Sequence, residues 1–341
     1  ANAIDHCKEA IKIQPNFAEA HYNLGNALRI SGDQRTAEES YKRVLEIDPN
    51  YSPAIASLGN LAFGNKDYAE ALNYLDKLSD DTSFAQSLEC LFHMREYKIF
   101  NKRIKSSLEA SSSNLRLAAI SAYAANQLGQ PDVYPFCQNP LDFFTLGNIY
   151  THCSNPSKLI NELISEMEGL NPIWEPENRT TKNGYQTLEN LFKSSREKIA
   201  ALEVIIQQEV KAFYHKFHSS DCNLIKLWPE KIVLNGWLVT MNQGGHQDAH
   251  MHPNGWISGV FYLKTVENPI ENEGAIELSL HGYNYPLIRE EYPRILHQPL
   301  FGDIILFPSS LFHRTIPVAQ DQDRWAIAFD VFPDHKIRKI T

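Results

Sequence analysis

Long apolar runs, a basic excess and a cysteine framework are all missing from this chain. No stretch approaches the roughly eighteen consecutive apolar residues that a membrane-spanning helix requires, so no membrane partner is expected. The formal net charge of -9 argues against a general nucleic-acid binder, which presents a basic face. The five cysteines, Cys7, Cys90, Cys137, Cys153 and Cys222, are odd in number and scattered. They offer neither a disulfide framework nor a paired zinc spacing, which favours a reducing, cytoplasmic compartment. Bias toward disorder is lacking too, since 43% of the 341 residues are hydrophobic, and the length allows two domains with a core each. The chain opens at Ala1 without a methionine and inside a repeat, so further repeats are expected to precede it.

A register of 34 residues runs through residues 1–83: Ala3, Ala37 and Ala71 coincide, as do Cys7, Tyr41 and Leu75. Leu24-Gly25-Asn26 recurs as Leu58-Gly59-Asn60, and Pro15-Asn16 as Pro49-Asn50. Small residues at matched points of paired helices permit close contact, and proline ends the second helix. Leu24, Gly25, Ala37, Tyr41 and Pro49 resemble the tetratricopeptide repeat, with a truncated first copy at 1–16 and a degraded last one at 52–83. The resemblance implies a concave surface for a peptide or protein segment; a packing scaffold is the bland alternative.

Residues 84–170 keep helical periodicity, at 118–128 and 159–167, but lose the register, and are expected to form a helical extension or decayed repeats. Residues 171–187 are rich in turn formers and predict the domain junction. A helix without internal Gly or Pro is predicted over 188–218, its stripe of Leu191, Ile199, Leu202, Ile206 and Val210 covering a sheet. Stretches 232–241, 256–266, 275–280, 303–307 and 325–332 read as short strands, which predicts an antiparallel sandwich or barrel across 171–341. The fold class is thus α+β and multidomain, an all-α solenoid followed by a β domain.

Chemistry concentrates in Gly244–Leu263, where His246, Asp248, His250 and His252 occupy alternate positions. In a regular strand all four would share one face. A mononuclear iron site needs about three protein ligands with open positions beside them. His250-Met251-His252 with the distant His313 meets that need; His246-Gln247-Asp248 is the competing pair. His281 and His297 read as surface or satisfied polar residues and His215 and His218 as solvated ones. Trp237, Trp256 and Trp325 read as core, and Ser309 and Ser310 as turn residues.

His-Met-His-Pro-Asn-Gly-Trp-Ile-Ser-Gly-Val-Phe-Tyr-Leu, Phe-Pro-Ser-Ser-Leu-Phe-His, Arg-Trp-Ala-Ile-Ala-Phe and Arg-Thr-Thr-Lys-Asn-Gly-Tyr-Gln-Thr together resemble the 2-oxoglutarate/iron(II)-dependent oxygenase family, over roughly residues 172–333. Family members often carry tetratricopeptide repeats upstream. The resemblance implies a double-stranded β-helix, or jelly roll, and an oxidoreductase of the dioxygenase class using Fe(II), 2-oxoglutarate and molecular oxygen. It implies that His250, His252 and His313 hold iron. It further implies that Arg324 forks onto the far carboxylate of 2-oxoglutarate, helped by the Tyr262 hydroxyl. The second histidine, at 252, departs from the carboxylate most such enzymes use.

Three functions follow as expectations. The leading one is a hydroxylase whose repeats recruit a peptide or protein. The others are a repeat-based binding module with a degenerate barrel, and a cupin-like three-histidine dioxygenase without 2-oxoglutarate. Arg324 and Tyr262 discriminate, because the cupin-like enzyme needs no carboxylate clamp.

Overall fold

The computed structural model describes residues 3–107, 113–177, 179–193 and 196–334. They fall into two compact units, Ala1–Ser107 and Leu108–Thr341.

The first unit is a run of helices: α1 (Ala3–Ile13), α2 (Ala18–Ile30), α3 (Gln34–Ile47), α4 (Ser52–Gly64), α5 (Tyr68–Leu75), α6 (Asp81–His93) and α7 (Tyr97–Ser106). Each packs on the next, as in a tetratricopeptide solenoid. The repeat register has a steric cause. A Cβ on Gly25 would lie 2.5 Å from the Tyr41 ring, and one on Gly59 would lie 3.1 Å from Leu75. The Tyr41 hydroxyl donates to Asn26 Oδ1 at 2.8 Å, tying the same helix pair by a polar contact. Asp33 and Asp67, one repeat apart, cap α3 and α5 by accepting from the amides of Thr36 and Glu70.

The second unit begins with α8 (Leu115–Leu128), β1 (Thr145–Asn148), α9 (Pro156–Glu168), β2 (Ile173–Trp174) and β3 (Thr181–Gln186). It continues with α10 (Glu197–Phe217), α11 (Asn223–Lys226), β4 (Ile232–His250), β5 (Ile257–Lys264) and β6 (Ile276–Ser279). β7 (Arg294–His297), β8 (Asp303–Pro308), β9 (Phe312–Thr315) and β10 (Arg324–Pro333) complete it. The strands form one antiparallel curled sheet in the order β1-β8-β5-β10-β4-β9-β6-β7, with β3 also on β4 and β2 on β3. The long β4 is shared: residues 232–241 pair with β10, whereas Gln247 and His250 pair with β9. That change of partner folds the sheet into the two layers of a jelly roll. β5 is buried at every residue except Lys264, because α9 packs on its outer side while its inner side faces the barrel.

Four expectations shift. α6 and α7 belong with the repeats, so the division lies at 107/108 instead of 83/84. Residues 113–170 are no repeat extension: β1 pairs with β8, and on α8 Gln127 Oε1 accepts from the amides of Ile288 and Arg289. The turn formers of 171–187 shape the β2–β3 hairpin on β4 and not a junction, with Asn178 outside the described residues. The covering helix is shorter than 188–218: a 3-10 turn at Leu191–Lys193 precedes α10, and residues 194 and 195 lie outside the described set.

Glu273 holds the loop after β9. Its carboxylate accepts from the amides of Ile270 (3.0 Å), Ala319 (2.5 Å) and Gln320 (2.8 Å), and from the Gln320 side chain. Burial raises its pKa, but these donors outweigh burial and bring it down to about 2.

Two stability outcomes follow. Gly25→Ala should lose about 1–3 kcal/mol in chemical denaturation, by overpacking against Tyr41. Gly64→Ala, whose Cβ meets nothing within 4 Å, should be neutral or stabilising. Glu273 has a folded pKa of about 2, below the roughly 4.3 of an unfolded glutamate. Its contribution is therefore complete above that unfolded value and lost as pH falls through the folded one. The stability deficit of Glu273→Gln, measured in urea, should be largest at neutral pH and shrink on acidification through that window.

Candidate metal and co-substrate site

The backbone irregularity of β4 determines which side chains enter the barrel. Gly244 adopts φ +82°, and a Cβ on Gly245 would meet Met241 Cβ at 2.6 Å. Farther on, the register against β9 slips between Gln247 and His250, a β-bulge with one extra residue on β4. The bulge flips the alternation, so Gln247 and His250 both line the interior cavity. The expectation that His246, Asp248, His250 and His252 share one face is therefore corrected. His246 and Asp248 stay together, Nε2 to Oδ1 at 3.6 Å, with the Asp248 side chain 60% exposed.

His250, His252 and His313 come together, with potential ligand atoms all within 4.8 Å of one another. Ring centroids are 4.3 Å apart for His250–His313, 4.9 Å for His252–His313 and 5.1 Å for His250–His252. Each Nδ1 has an oxygen partner: Asp248 O at 2.7 Å, Asp330 Oδ1 at 2.6 Å and Leu311 O at 3.2 Å respectively for His250, His252 and His313. A carbonyl or carboxylate oxygen accepts, so Nδ1–H donates and each Nε2 keeps its lone pair for a metal. Burial, reinforced by His252, pushes the His250 pKa down to about 3. Burial, with His250 and His252 adding to it, holds His313 well below the usual imidazole value. Both rings stay neutral, the state a metal ligand needs.

The same narrow cavity reaches Arg324, which is 3% exposed. Arg324 Nε donates to Gly274 O at 2.8 Å, Nη1 lies 3.9 Å from Met241 Sδ, and Cζ sits 5.1 Å from the centre of the Tyr262 ring. Gly274 follows the Glu273 clamp directly, so the clamp also orients the guanidinium. Among the described residues no carboxylate pairs with Arg324, and burial lowers its pKa. Tyr262 is wholly buried with its hydroxyl unpartnered, and burial lifts its pKa to about 12. A buried cation without an anion, whose neighbouring Tyr262 hydroxyl interacts with it but completes no full hydrogen bond, fits the carboxylate of a bound co-substrate, while three imidazole Nε2 atoms fit Fe(II).

A cleft of about 680 Å³ opens onto His250 and His252, bordered by Arg179, Asn190, Trp237 and Tyr283. Trp237, expected in the core, lines both cleft and cavity, with its ring 5.6 Å from His252. His281 and His297 are satisfied polar residues as expected, on Tyr285 O (2.9 Å) and Asp303 Oδ2 (3.0 Å). Two participants escaped the sequence reading: Asp330 and Ser258. Strand parity could have found Asp330, since Arg324, Ala326, Ala328 and Asp330 alternate onto one face.

Residues 235–330 match the family described as "Putative 2OG-Fe(II) oxygenase". Residues 18–51 match "Tetratricopeptide repeat" and residues 1–29 "TPR repeat". No curated protein matches the chain. Among solved structures, similarity extends to a Pseudomonas putida prolyl-4-hydroxylase at 14% identity, covering 55% of this chain and 91% of that one, TM-score 0.39. A Trichoplax adhaerens prolyl hydroxylase, in complex with a hypoxia inducible factor oxygen degradation domain peptide fragment, is 13% identical over 67% of this chain and 94% of that one, TM-score 0.42. HygX from Streptomyces hygroscopicus, with nickel and 2-oxoglutarate bound, is 16% identical over 56% and 83%, TM-score 0.39. With its match at 235–330 and its three-histidine pocket, the second unit carries a domain of the 2-oxoglutarate/iron(II)-dependent oxygenase family, and the chain joins it to tetratricopeptide repeats.

Proposed function

We propose that this oxygenase is a hydroxylase of peptide or protein side chains, with His250, His252 and His313 as the iron ligands and Arg324 and Tyr262 as the 2-oxoglutarate clamp. The observation that carries the assignment is one cavity with three converging imidazoles and, at its far end, a buried guanidinium that no carboxylate pairs with among the described residues. When bound, iron and 2-oxoglutarate supply a two-electron oxidation of substrate by molecular oxygen, with succinate and carbon dioxide as co-products.

The protein's part is positioning and exclusion of water. Nδ1–H donation to Asp248 O, Asp330 and Leu311 O aims each Nε2 at one point. Arg324, fixed by Gly274 O, offers its remaining N–H groups as a planar fork to the distal carboxylate. Trp237 lines both the open cleft and the narrow cavity, beside His250 and His252. The cleft, open and rimmed by Arg179, Glu189, Asn190 and Lys193, suits an extended polar chain better than a small apolar ligand. Repeats commonly hold peptide segments, which supports the same substrate class. The free cysteines support a reducing, cytoplasmic compartment. Among the described residues no helix is long and apolar enough to cross a membrane.

Anaerobic addition of Fe(II) to the metal-free protein should give a visible charge-transfer band only when 2-oxoglutarate is also present. Arg324→Ala should abolish the band while leaving Fe(II) binding in place; Tyr262→Phe should weaken 2-oxoglutarate binding by about 1–3 kcal/mol, the cost of one hydrogen bond to a charged group. Metal-dependent oxygen consumption unchanged in Arg324→Ala would move the cupin-like reading ahead. In a second series, His250→Ala, His252→Ala and His313→Ala should each lose Fe(II) affinity by at least about tenfold, by calorimetry, whereas Asp248→Ala should not. Candidate peptides incubated with the complete system should gain the mass of one oxygen with matching succinate; no gain across a broad library would remove the peptide assignment.

A further inference from the structure

The carboxylate that would complete a more usual ligand set is present, one hydrogen bond farther out. Asp330 Oδ1 accepts from His252 Nδ1 at 2.6 Å and from Ser258 Oγ at 2.6 Å. Ser258 Oγ in turn lies 2.8 Å from Ser309 Oγ and 3.2 Å from His252 Nδ1. All three partners behind the histidine are buried: Ser258 is 1% exposed, Ser309 0% and Asp330 5%. The backbone is arranged for this approach. Asp330 and Ser258 are register partners on β10 and β5, and the His252 amide donates to Ser309 O at 3.0 Å. A Cβ on Gly255 would fall 2.6 Å from Ser309 Oγ and 3.3 Å from Asp330 Cγ, so only glycine lets the turn close over them.

A carboxylate so buried demands a compensating positive charge. Among the described residues no lysine or arginine pairs with Asp330; its basic neighbour is the His252 imidazole, hydrogen-bonded through Nδ1. His250 and His313 differ in kind, because their Nδ1 atoms donate to neutral backbone carbonyls. Only the His252 position therefore has a negative charge behind it.

We propose that Asp330 is the positioning residue that makes His252 a partly anionic ligand, restoring to a three-histidine iron site the negative charge its ligand set lacks. The proposal rests on His252 being an iron ligand. Hydrogen bonding to a carboxylate draws the Nδ1 proton away and raises the donor strength of Nε2. Ser258 and Ser309 form the counterweight: by donating to Asp330, Ser258 takes up part of the charge that His252 would otherwise draw on.

The test uses the full chain, made metal-free and checked for folding by circular dichroism and thermal melting. Fe(II) affinity and the anaerobic Fe(II)–2-oxoglutarate band are then read in variants. Asp330→Asn keeps the shape and removes the charge; it should weaken Fe(II) binding by about ten- to a hundred-fold. It should also move the band to shorter wavelength, because a less electron-rich iron is harder to oxidise. Asp330→Glu should recover part of both. Ser258→Ala leaves Asp330 a stronger acceptor for His252 and should move the band the other way, to longer wavelength. A merely structural role would not produce opposite shifts. If His252→Ala loses the metal while Asp330→Asn keeps both affinity and band, the proposal is overturned and the ligand assignment stands. If His252→Ala binds Fe(II) as tightly as the parent, the ligand assignment fails and the proposal with it. Should Asp330→Asn not fold, Ser258→Ala decides alone, and an unmoved band overturns the proposal.

Discussion

The bulge between Gln247 and His250 is the constraint on which the site depends. A regular β4 would set His250 on the face of His246 and Asp248, and Gln247 alone would point inward. One extra residue reverses that, and His250 then sits directly across from His313 on β9. A separate irregularity precedes it, where β3 steps past residues 242–245 of β4. There Gly244 adopts a positive φ, Gly245 leaves room for Met241, and the Gly244 amide and carbonyl are engaged by Val318 O and Asn183 Nδ2. A local backbone kink thus converts a face of exposed polar residues into a ligand set.

Different parts of the chain were legible for different physical reasons. The repeats show in sequence because a steric contact recurs every 34 residues, glycine against Tyr41 and then against Leu75. β5 shows because burial on both faces makes its sequence continuously apolar. β1 was hidden: Thr145-Leu146-Gly147-Asn148 is only partly buried and has no alternating pattern, so it passed for part of a helical region. The β2–β3 hairpin was hidden by its own turn formers, Glu175 and Asn183 among them, both at positive φ. At the site, histidines grouped with a downstream arginine could be picked out by type and spacing. Which of them share a face could not, because a bulge leaves no trace in residue type. Asp330 lay between: its parity with Arg324 was visible, but its partner His252 is brought to it only by the tertiary fold.

Two uncompensated charges define the electrostatics of the barrel interior. Arg324 is a buried cation whose hydrogen bonds go to a carbonyl and a thioether, so it is poised for an anion that the protein does not provide. Asp330 is a buried carboxylate that accepts from the Nδ1 of His252, so it is placed behind the ring whose Nε2 faces the cavity. Neither is a favourable arrangement for folding alone, since each leaves desolvation only partly offset. Together they are the pattern expected where a dianionic acid and a divalent cation complete the interior.

β10 sets the spacing between those two charges. Arg324 and Asp330 point to the same side of one strand, six residues apart, which at ~3.3 Å per residue is about 20 Å. The inward positions between them are Ala326 and Ala328, and both line the cavity. Their register partners on β5 and β4 are large: Tyr262 and Val239 flank Ala326, and Val260 and Trp237 flank Ala328. A leucine or phenylalanine at either alanine would fill the volume and give a better-packed barrel at the expense of the cavity. Small residues placed midway between a lone cation and a carboxylate-backed histidine keep the cavity open between them. The strand therefore gives up packing at two positions, which is the arrangement the proposed use of both cavity ends requires.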